Sequence, residues 1–423
     1  MKQIFLIILL IITVNSITVY SQWTIYQTST TSHLYKIQFI NENKGFTAGG
    51  SELYNDSAVF FKTTNAGQNW VKYRVYDSTS IPLEEIYGLY FINENTGFVS
   101  GRYLNIYKTS NGGYNWVAII PPYYSLTQIY NALYFINENT GYAAGRYGYV
   151  CKTTNSGLNW ELIADLDGNL HGVYFVNQNT GFFSSASGGV YKTTNSGQNF
   201  SFYYLGDFGF GSIRFISEST GYVVGYNALD NSRIFRTTNN GQNWENILEY
   251  NEELYDVFFT NAYIGYTSGW NNILKTTNSG ISWNEINKPE NNGFLSIHFL
   301  NPYDGFITGG GGRIYRTTSG GVWINQISSE VPEGFKISNC YPNPFNSELK
   351  VQIAIMRTII NSDIFLEIYN ILGNKVMEKK LEINNPGKYE IKLRFNDYTT
   401  GIYFIRIKSD YQITKPQKII YLK

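Results

Sequence analysis

Histidine and cysteine are nearly missing from this chain: three histidines (His33, His171, His298) and two cysteines (Cys151, Cys340) stand among 423 residues. That scarcity leaves no zinc cluster and no catalytic triad to build, and two distant cysteines do not make a disulfide framework. Cys151 stands where sibling segments carry Leu, Phe or Tyr, so a small core residue is expected there. Charge is scarce as well, at 15% of residues with a formal net charge of zero. A general electrostatic grip on nucleic acid or an anionic membrane is therefore not expected. Beyond the N-terminus no stretch approaches 18 uninterrupted apolar residues, so no integral membrane segment is expected in the mature protein. Neither a metal nor a cofactor is expected, and the protein is expected to be a monomer.

What is abundant points to β-structure. Glycine (40), tyrosine (37) and aromatics as a class (17%) suit many short strands joined by turns. Met1 to Ser21 reads as a secretory signal: Lys2 gives the positive start, Ile4 to Val14 is an apolar run short for a membrane span, and a cut is expected before Gln22.

From there the chain repeats. A glycine following an N-E-N-like phrase recurs at Gly45, Gly97, Gly141, Gly181, Gly221, Gly265 and Gly305, in steps of 52, 44, 40, 40, 44 and 40 residues. A second glycine, in a T-T-N turn, recurs at Gly67, Gly113, Gly157, Gly197, Gly241, Gly280 and about Gly320. In the third unit four strands can be read: Asn131 to Ile136, Gly141 to Gly145, Tyr149 to Thr153 and Trp160 to Ile163. Four strands every 40 to 45 residues is the period of a propeller blade. The expected fold class is therefore all-β: a seven-bladed β-propeller, followed by a small immunoglobulin-like β-sandwich.

The column Lys36, Gly88, Ala132, Gly172, Ser212, Asp256, Ser296 is mostly small, as innermost strands around a central channel require. Lys36 and Asp256 break the pattern. Ring closure needs a fourth strand from one end of the repeat array, and both Trp23 to Tyr26 and Trp323 to Ile327 resemble one.

The turn from Thr153 to Trp160, T-T-N-S-G-L-N-W, resembles the Asp-box, or bacterial neuraminidase repeat, with Asn where Asp is usual. In the first unit Thr63, Asn65, Gly67, Asn69 and Trp70 occupy the motif positions. Asn can hold its own backbone in a tight turn, Gly supplies a positive φ, and Trp packs across the hairpin. In proteins of that family the boxes lie on the blade periphery, so the resemblance implies a structural role and no glycosidase. Over roughly residues 23 to 327 the repeats resemble those of photosystem II assembly factors, and more distantly sortilin and sialidase propellers. Arg236 and Arg316 share a column with Lys62, Lys108, Lys152, Lys192 and Lys275, which makes them repeat positions and not substrate arginines.

The N-E-N-T-G phrases carry too few carboxylates for a calcium loop. Asp165, Asp167, Asp207, Glu252 and Glu253 follow fourth strands, so a hydrolytic carboxylate pair is conceivable, though spacing singles out none. The expected working surface is the face opposite the T-T-N turns, since loops on a rigid scaffold commonly carry function. Its candidate ligand-binding residues are Tyr54, Arg102, Tyr103, Arg146, Tyr147, Tyr226 and Trp270, aromatics and arginines suited to stacking on sugars or anchoring a protein. The expected function is non-catalytic binding of a glycan or protein. The alternative is a secreted glycoside hydrolase acting on polysaccharide.

Pro, Glu and Gly around 331–339 mark a linker, and six further strands follow. Their motifs resemble the C-terminal sorting domain, type A, of the type IX secretion system. The matching residues are Y-P-N-P-F (Tyr341, Pro342, Asn343, Pro344, Phe345), L-E-I-Y-N-I-L-G ending at Gly373, and T-G-I-Y-F-I-R-I around Gly401. The resemblance implies partnership with the type IX machinery and export across both membranes to the cell surface or medium. The expected division is signal peptide 1–21, propeller 22–328, linker 329–338 and sorting domain 339–423.

Overall fold

Glycine-punctuated strands of five or six residues, buried on both sides, stack here into four-stranded antiparallel sheets. The computed structural model describes residues 23–50, 58–75, 85–102, 106–121, 129–229, 231–290, 292–318, 320, 324–328, 332–359, 362–383, 385–395 and 398–422. Residues 22–321 form one unit and residues 322–423 belong to another.

In the propeller unit, six four-stranded sheets run in simple chain order from an innermost to an outermost strand, and a seventh takes its outermost strand from the N-terminal segment. The third is representative: Tyr130–Phe135, Gly141–Gly145, Tyr149–Thr153 and Glu161–Asp165. Each innermost strand packs on that of the next sheet, and His33–Phe39 meets Phe294–Phe299 to close the ring.

Aromatic stacking holds neighbouring sheets together. The ring after each N-E-N glycine stacks on a first-strand ring of the following sheet, at centroid separations of 3.6 to 4.4 Å: Phe46 on Phe91, Phe98 on Phe135, Tyr142 on Phe175, Phe182 on Phe215, Tyr222 on Phe259, Tyr266 on Phe299, and Phe306 on Phe39. The box tryptophan then meets the first-strand ring of its own sheet edge-on, as Trp160 does with Phe135 at 5.8 Å. Phe200 stands at that position once and meets a second-strand ring, Phe183, edge-on.

The T-T-N turn is built by its own polar atoms. Asn155 Oδ1 accepts from Asn159 N and from the Thr153 hydroxyl, both at 3.0 Å, and Thr153 Oγ1 accepts from Gly157 N at 3.0 Å. An amide oxygen thus does the work of the usual carboxylate. Gly157 has φ +71°, and a Cβ there would lie 2.3 Å from the Phe98 ring of the preceding sheet. Glycine is required for both reasons. The lysine column completes the clasp: Lys62, Lys108, Lys152, Lys192 and Lys275 each donate to a turn carbonyl one sheet further on. Arg316 instead grips Asp304 with two hydrogen bonds.

In the last unit Gly320 does not take the place of the turn glycine of the other units. Gly320, φ +62°, occupies the place that Ser156, φ +61°, holds in the third unit, and its carbonyl accepts Lys275 as Ser156's accepts Lys108. The N-E-N phrases are turns: Asn137 Oδ1 accepts Asn139 N and Thr140 N at 2.9 and 2.8 Å.

The N-terminal segment closes the ring. Thr24–Gln27 pairs with Arg313–Thr317 as the outermost strand of the seventh sheet. Trp23 is buried in that sheet's core beside Phe299, and its indole N–H donates to Asn287 O at 2.7 Å. With that edge taken, the second strand-like segment pairs elsewhere: Ile324–Ser328 adds to Gly387–Arg394 in the C-terminal unit. The expected boundary at residue 328 therefore moves back to 321, and Lys336–Tyr341, expected to begin in linker, is a strand throughout.

The C-terminal unit is a sandwich of two four-stranded sheets. Alternate residues of Glu348–Ile355 and Gly387–Arg394 on one side, and of Ile364–Asn370 and Gly401–Lys408 on the other, share one apolar core.

Candidate binding site at the channel mouth

Every innermost strand of the propeller carries an irregularity near its start, an extra residue before the channel-facing column. It re-aims side chains that simple alternation would place elsewhere. The re-aimed residues include Tyr35, Tyr87, His171 and Tyr255, all at the end of the strand opposite the T-T-N turns.

Two of these tyrosines face a glutamate two residues earlier. Glu85, only 5% exposed, accepts the Tyr87 hydroxyl at 2.5 Å, and Arg102 Nη1 stands 3.9 Å from the same carboxylate. Tyr35 lies against Tyr87 at 5.1 Å between ring centroids. Burial, then the Glu85 charge, pushes the Tyr35 phenol up to about 12. Burial and the hydrogen bond to Glu85 push Tyr87 up as well. Both phenols stay protonated at neutral pH and act as donors. The second pair repeats the first: Tyr255 donates to Glu253, and Tyr226 meets the Tyr255 ring edge-on at 5.4 Å.

Between the fourth, fifth and sixth sheets opens a cleft of about 760 Å³. His171, Asp207, Phe208, Tyr226 and Glu253 line it, with backbone from Ala186–Gly188 and Asn227–Ala228. Asp207 accepts the Tyr204 hydroxyl at 2.5 Å. Arg233 lies over the Phe208 ring at 4.7 Å. Desolvation, Lys36 and Arg146 together hold His171 down to about 4, so its imidazole is neutral at pH 7.

The candidates read from the sequence fall in three groups. Tyr226 lines the cleft, and Trp270, 56% exposed, is tied next to it by its backbone N–H to Glu253 O. Arg102 and Arg146 stand at the mouth, the first beside Glu85 and the second close enough to act on Tyr87 and His171. Tyr147, 54% exposed, sits at a loop tip with φ +58°, a conformation non-glycine residues rarely hold. Tyr54 and Tyr103 lie outside the described residues. Of the carboxylates, Asp207 and Glu253 share the cleft, while Glu252 accepts from Asn272. Glu85, Tyr35, Tyr87 and Tyr255 were not singled out by sequence reasoning. The recurring Glu-x-Tyr at Glu85–Tyr87 and Glu253–Tyr255 was the available signal.

In the C-terminal unit the Y-P-N-P-F segment clips the last strand. Asn343 donates to Lys418 O at 3.0 Å and accepts Ile420 N at 2.9 Å, and Phe345 exchanges backbone hydrogen bonds with Ile420 and Leu422. Phe345 is buried against Phe395 and Tyr421. Tyr341 donates to Glu390. Pro342 and Pro344 each follow a cis peptide bond. Gly373, φ +78°, makes the turn after Asn370, and Gly401 opens the strand that pairs with Gln417–Tyr421.

These features define an all-β propeller followed by a two-sheet β-sandwich. Residues 71–204 match the family described as Photosynthesis system II assembly factor YCF48, and residues 339–422 match the Secretion system C-terminal sorting domain. The chain thus combines YCF48-like propeller repeats with a type IX sorting domain, which marks proteins for export to the cell surface or medium.

Solved structures agree on the fold. A structure of YCF48 bound to a D1 peptide is similar with TM-score 0.57 and 18% identity, over 72% of this chain and 100% of that one. PorZ, a surface component of the type IX system of Porphyromonas gingivalis, is similar with TM-score 0.55 and 11% identity, over 93% of this chain and 60% of that one. An ancestral GH74 enzyme is similar with TM-score 0.55 and 13% identity, over 94% of this chain and 63% of that one. No curated protein matches the sequence. Among the described residues, no helix is long and apolar enough to cross a membrane.

Proposed function

We propose that this exported propeller is a non-catalytic binding protein that holds a glycan or protein ligand on its loop face. The observation that carries the reading is the cleft between the fourth, fifth and sixth sheets. It offers an aromatic wall (Tyr226, with Phe208 behind it), two carboxylates, a neutral imidazole and open backbone groups within about 760 Å³. That combination suits a neutral or weakly basic ligand held by stacking and hydrogen bonds. Asp207 and Glu253 each accept a tyrosine hydroxyl, which orients them as acceptors toward a ligand. The peptide held by the YCF48 of similar fold supports a protein segment as one class of ligand.

The second reading, a polysaccharide hydrolase, draws on the same two carboxylates in one cleft and on the similarity in fold to a GH74 enzyme. One experiment separates them. The exported protein is passed over immobilised polysaccharides and peptide arrays, with retention and product release both recorded. Retention lost in Tyr226→Ala, without product release, supports binding. Product release abolished by Asp207→Asn or Glu253→Gln replaces it with hydrolysis. Retention unchanged in Tyr226→Ala, Trp270→Ala and Glu253→Gln refutes the cleft.

A further inference from the structure

The central channel itself is a charged cavity of about 300 Å³. Lys36 and Arg214 both line it, on innermost strands of the first and fifth sheets, together with one carboxylate, Asp256. Asp256 is engaged by its own wall: Oδ2 accepts the Ser296 hydroxyl at 3.0 Å and Ile297 N at 3.1 Å, and Oδ1 accepts Val257 N at 2.9 Å. Among the described residues neither the Lys36 nor the Arg214 side chain makes an ion pair or a hydrogen bond, and the Arg214 guanidinium faces the Phe258 ring at 5.8 Å. Two cations therefore share a protein-walled space with one carboxylate whose hydrogen-bonding capacity is largely spent.

We propose that the propeller channel binds a small anion between Lys36 and Arg214. Lys36 and Arg214 set two positive charges against the single carboxylate of Asp256, and a small anion in the channel balances the remaining charge. The response of the surrounding groups agrees. Desolvation and then Arg214 hold His298 down to about 3, leaving it neutral, and Lys36 is held below its ordinary value by desolvation, with Arg214 adding to the effect and Asp256 opposing it. Tyr90 and Tyr134 donate their hydroxyls to Phe135 O and Phe175 O of the adjoining sheets, so they narrow the channel without supplying counter-charge. The volume admits a halide, an inorganic oxyanion or a carboxylate of a few carbons, and excludes a folded partner. The site adjoins the loop-face cleft and shares His171 with it, but Lys36 and Arg214 line the channel alone.

The test uses the full exported chain. Thermal unfolding is followed while chloride, acetate or phosphate replaces gluconate at constant ionic strength. The expected result is a saturable rise in Tm with at least one small anion, reduced at least several-fold in Arg214→Gln and in Lys36→Gln. A response to chloride alone identifies a halide site; a response to acetate identifies a carboxylate site. Saturation-transfer NMR of acetate and formate on the wild-type protein keeps the question open to refutation if either variant fails to fold. Equal Tm in all anions with no saturation transfer overturns the proposal. So does an anion response that both variants retain in full.

Discussion

The two ends of the propeller channel spend their polar groups differently. At the T-T-N end, the asparagine of each of the first six boxes closes its own turn, the threonine hydroxyl two residues before it accepts a turn N–H, and lysines or an arginine clasp the edges. The same bonds recur from sheet to sheet with nearly the same lengths. At the opposite end, among the described residues, repetition is limited to the Glu-x-Tyr pair, seen twice. Glu85 and Glu253 meet tyrosines, His171 stands neutral beside Arg146, and the cleft walls differ from sheet to sheet. Where the repeat is identical its chemistry is consumed in holding the ring; where it diverges, side chains remain available to a ligand.

The comparison predicts a graded series of stability effects, largest at the seam. Trp23→Ala empties the apolar slot beside Phe299 and weakens the strand that ties the N-terminal segment to the seventh sheet. A loss of about 3–5 kcal/mol is expected in urea unfolding followed by circular dichroism. A loss below about 1 kcal/mol would mean that the ring does not depend on this closure.

Next comes Gly157→Val, which forces a β-branched residue to φ +71° and drives its Cβ into the Phe98 ring. About 2–4 kcal/mol is expected, with Gly157→Ala milder in the same direction. Gly373→Ala, also at positive φ but with open space around it, has no ring to meet and serves as the control. If both glycines cost the same, the clash with the neighbouring sheet is not what demands glycine at the box.

Asn155→Ala removes the oxygen that accepts both Asn159 N and the Thr153 hydroxyl, at an expected cost of about 1–2 kcal/mol. Asn155→Asp should fall within about 0.5 kcal/mol of wild type, since a carboxylate oxygen accepts the same bonds. That pair of variants decides whether asparagine is here a full substitute for the usual aspartate.

Much of the T-T-N end was legible in the sequence because a repeat displays its own alignment. Seven copies of one pattern reveal strands, turn glycines and packing aromatics together. The seam was not, because Trp23 to Tyr26 and Trp323 to Ile327 carry equally good fourth-strand patterns. Only the competition for one sheet edge separates them, and that is a tertiary fact. The mouth was half legible. Tyr226 and Trp270 stood out as exposed aromatics on non-repeating loops. Tyr87 and Tyr255 did not, because an extra residue in each innermost strand breaks the period of two on which sidedness was read. Arg214 was overlooked for a related reason: the channel has a second lining column two residues beyond that of Lys36, and attention to the small-residue column alone missed it.

The smallest stability effects belong to the loop face, and there the comparison is sharpest. Tyr226 packs edge-on to Tyr255 yet remains more than a third exposed, and Trp270 is more than half exposed. Tyr226 reaches from the fifth sheet to the Tyr255 ring of the sixth, but neither ring closes a turn or fills a buried slot between sheets. Replacing either with alanine should change unfolding free energy by no more than about 1 kcal/mol, a surface-scale value. Ligand retention should fall by tenfold or more if these rings form the wall of the binding site. A large stability loss in Tyr226→Ala would place it with the packing aromatics of the other end, and the division between a structural face and a working face would fail at the residue on which it most depends.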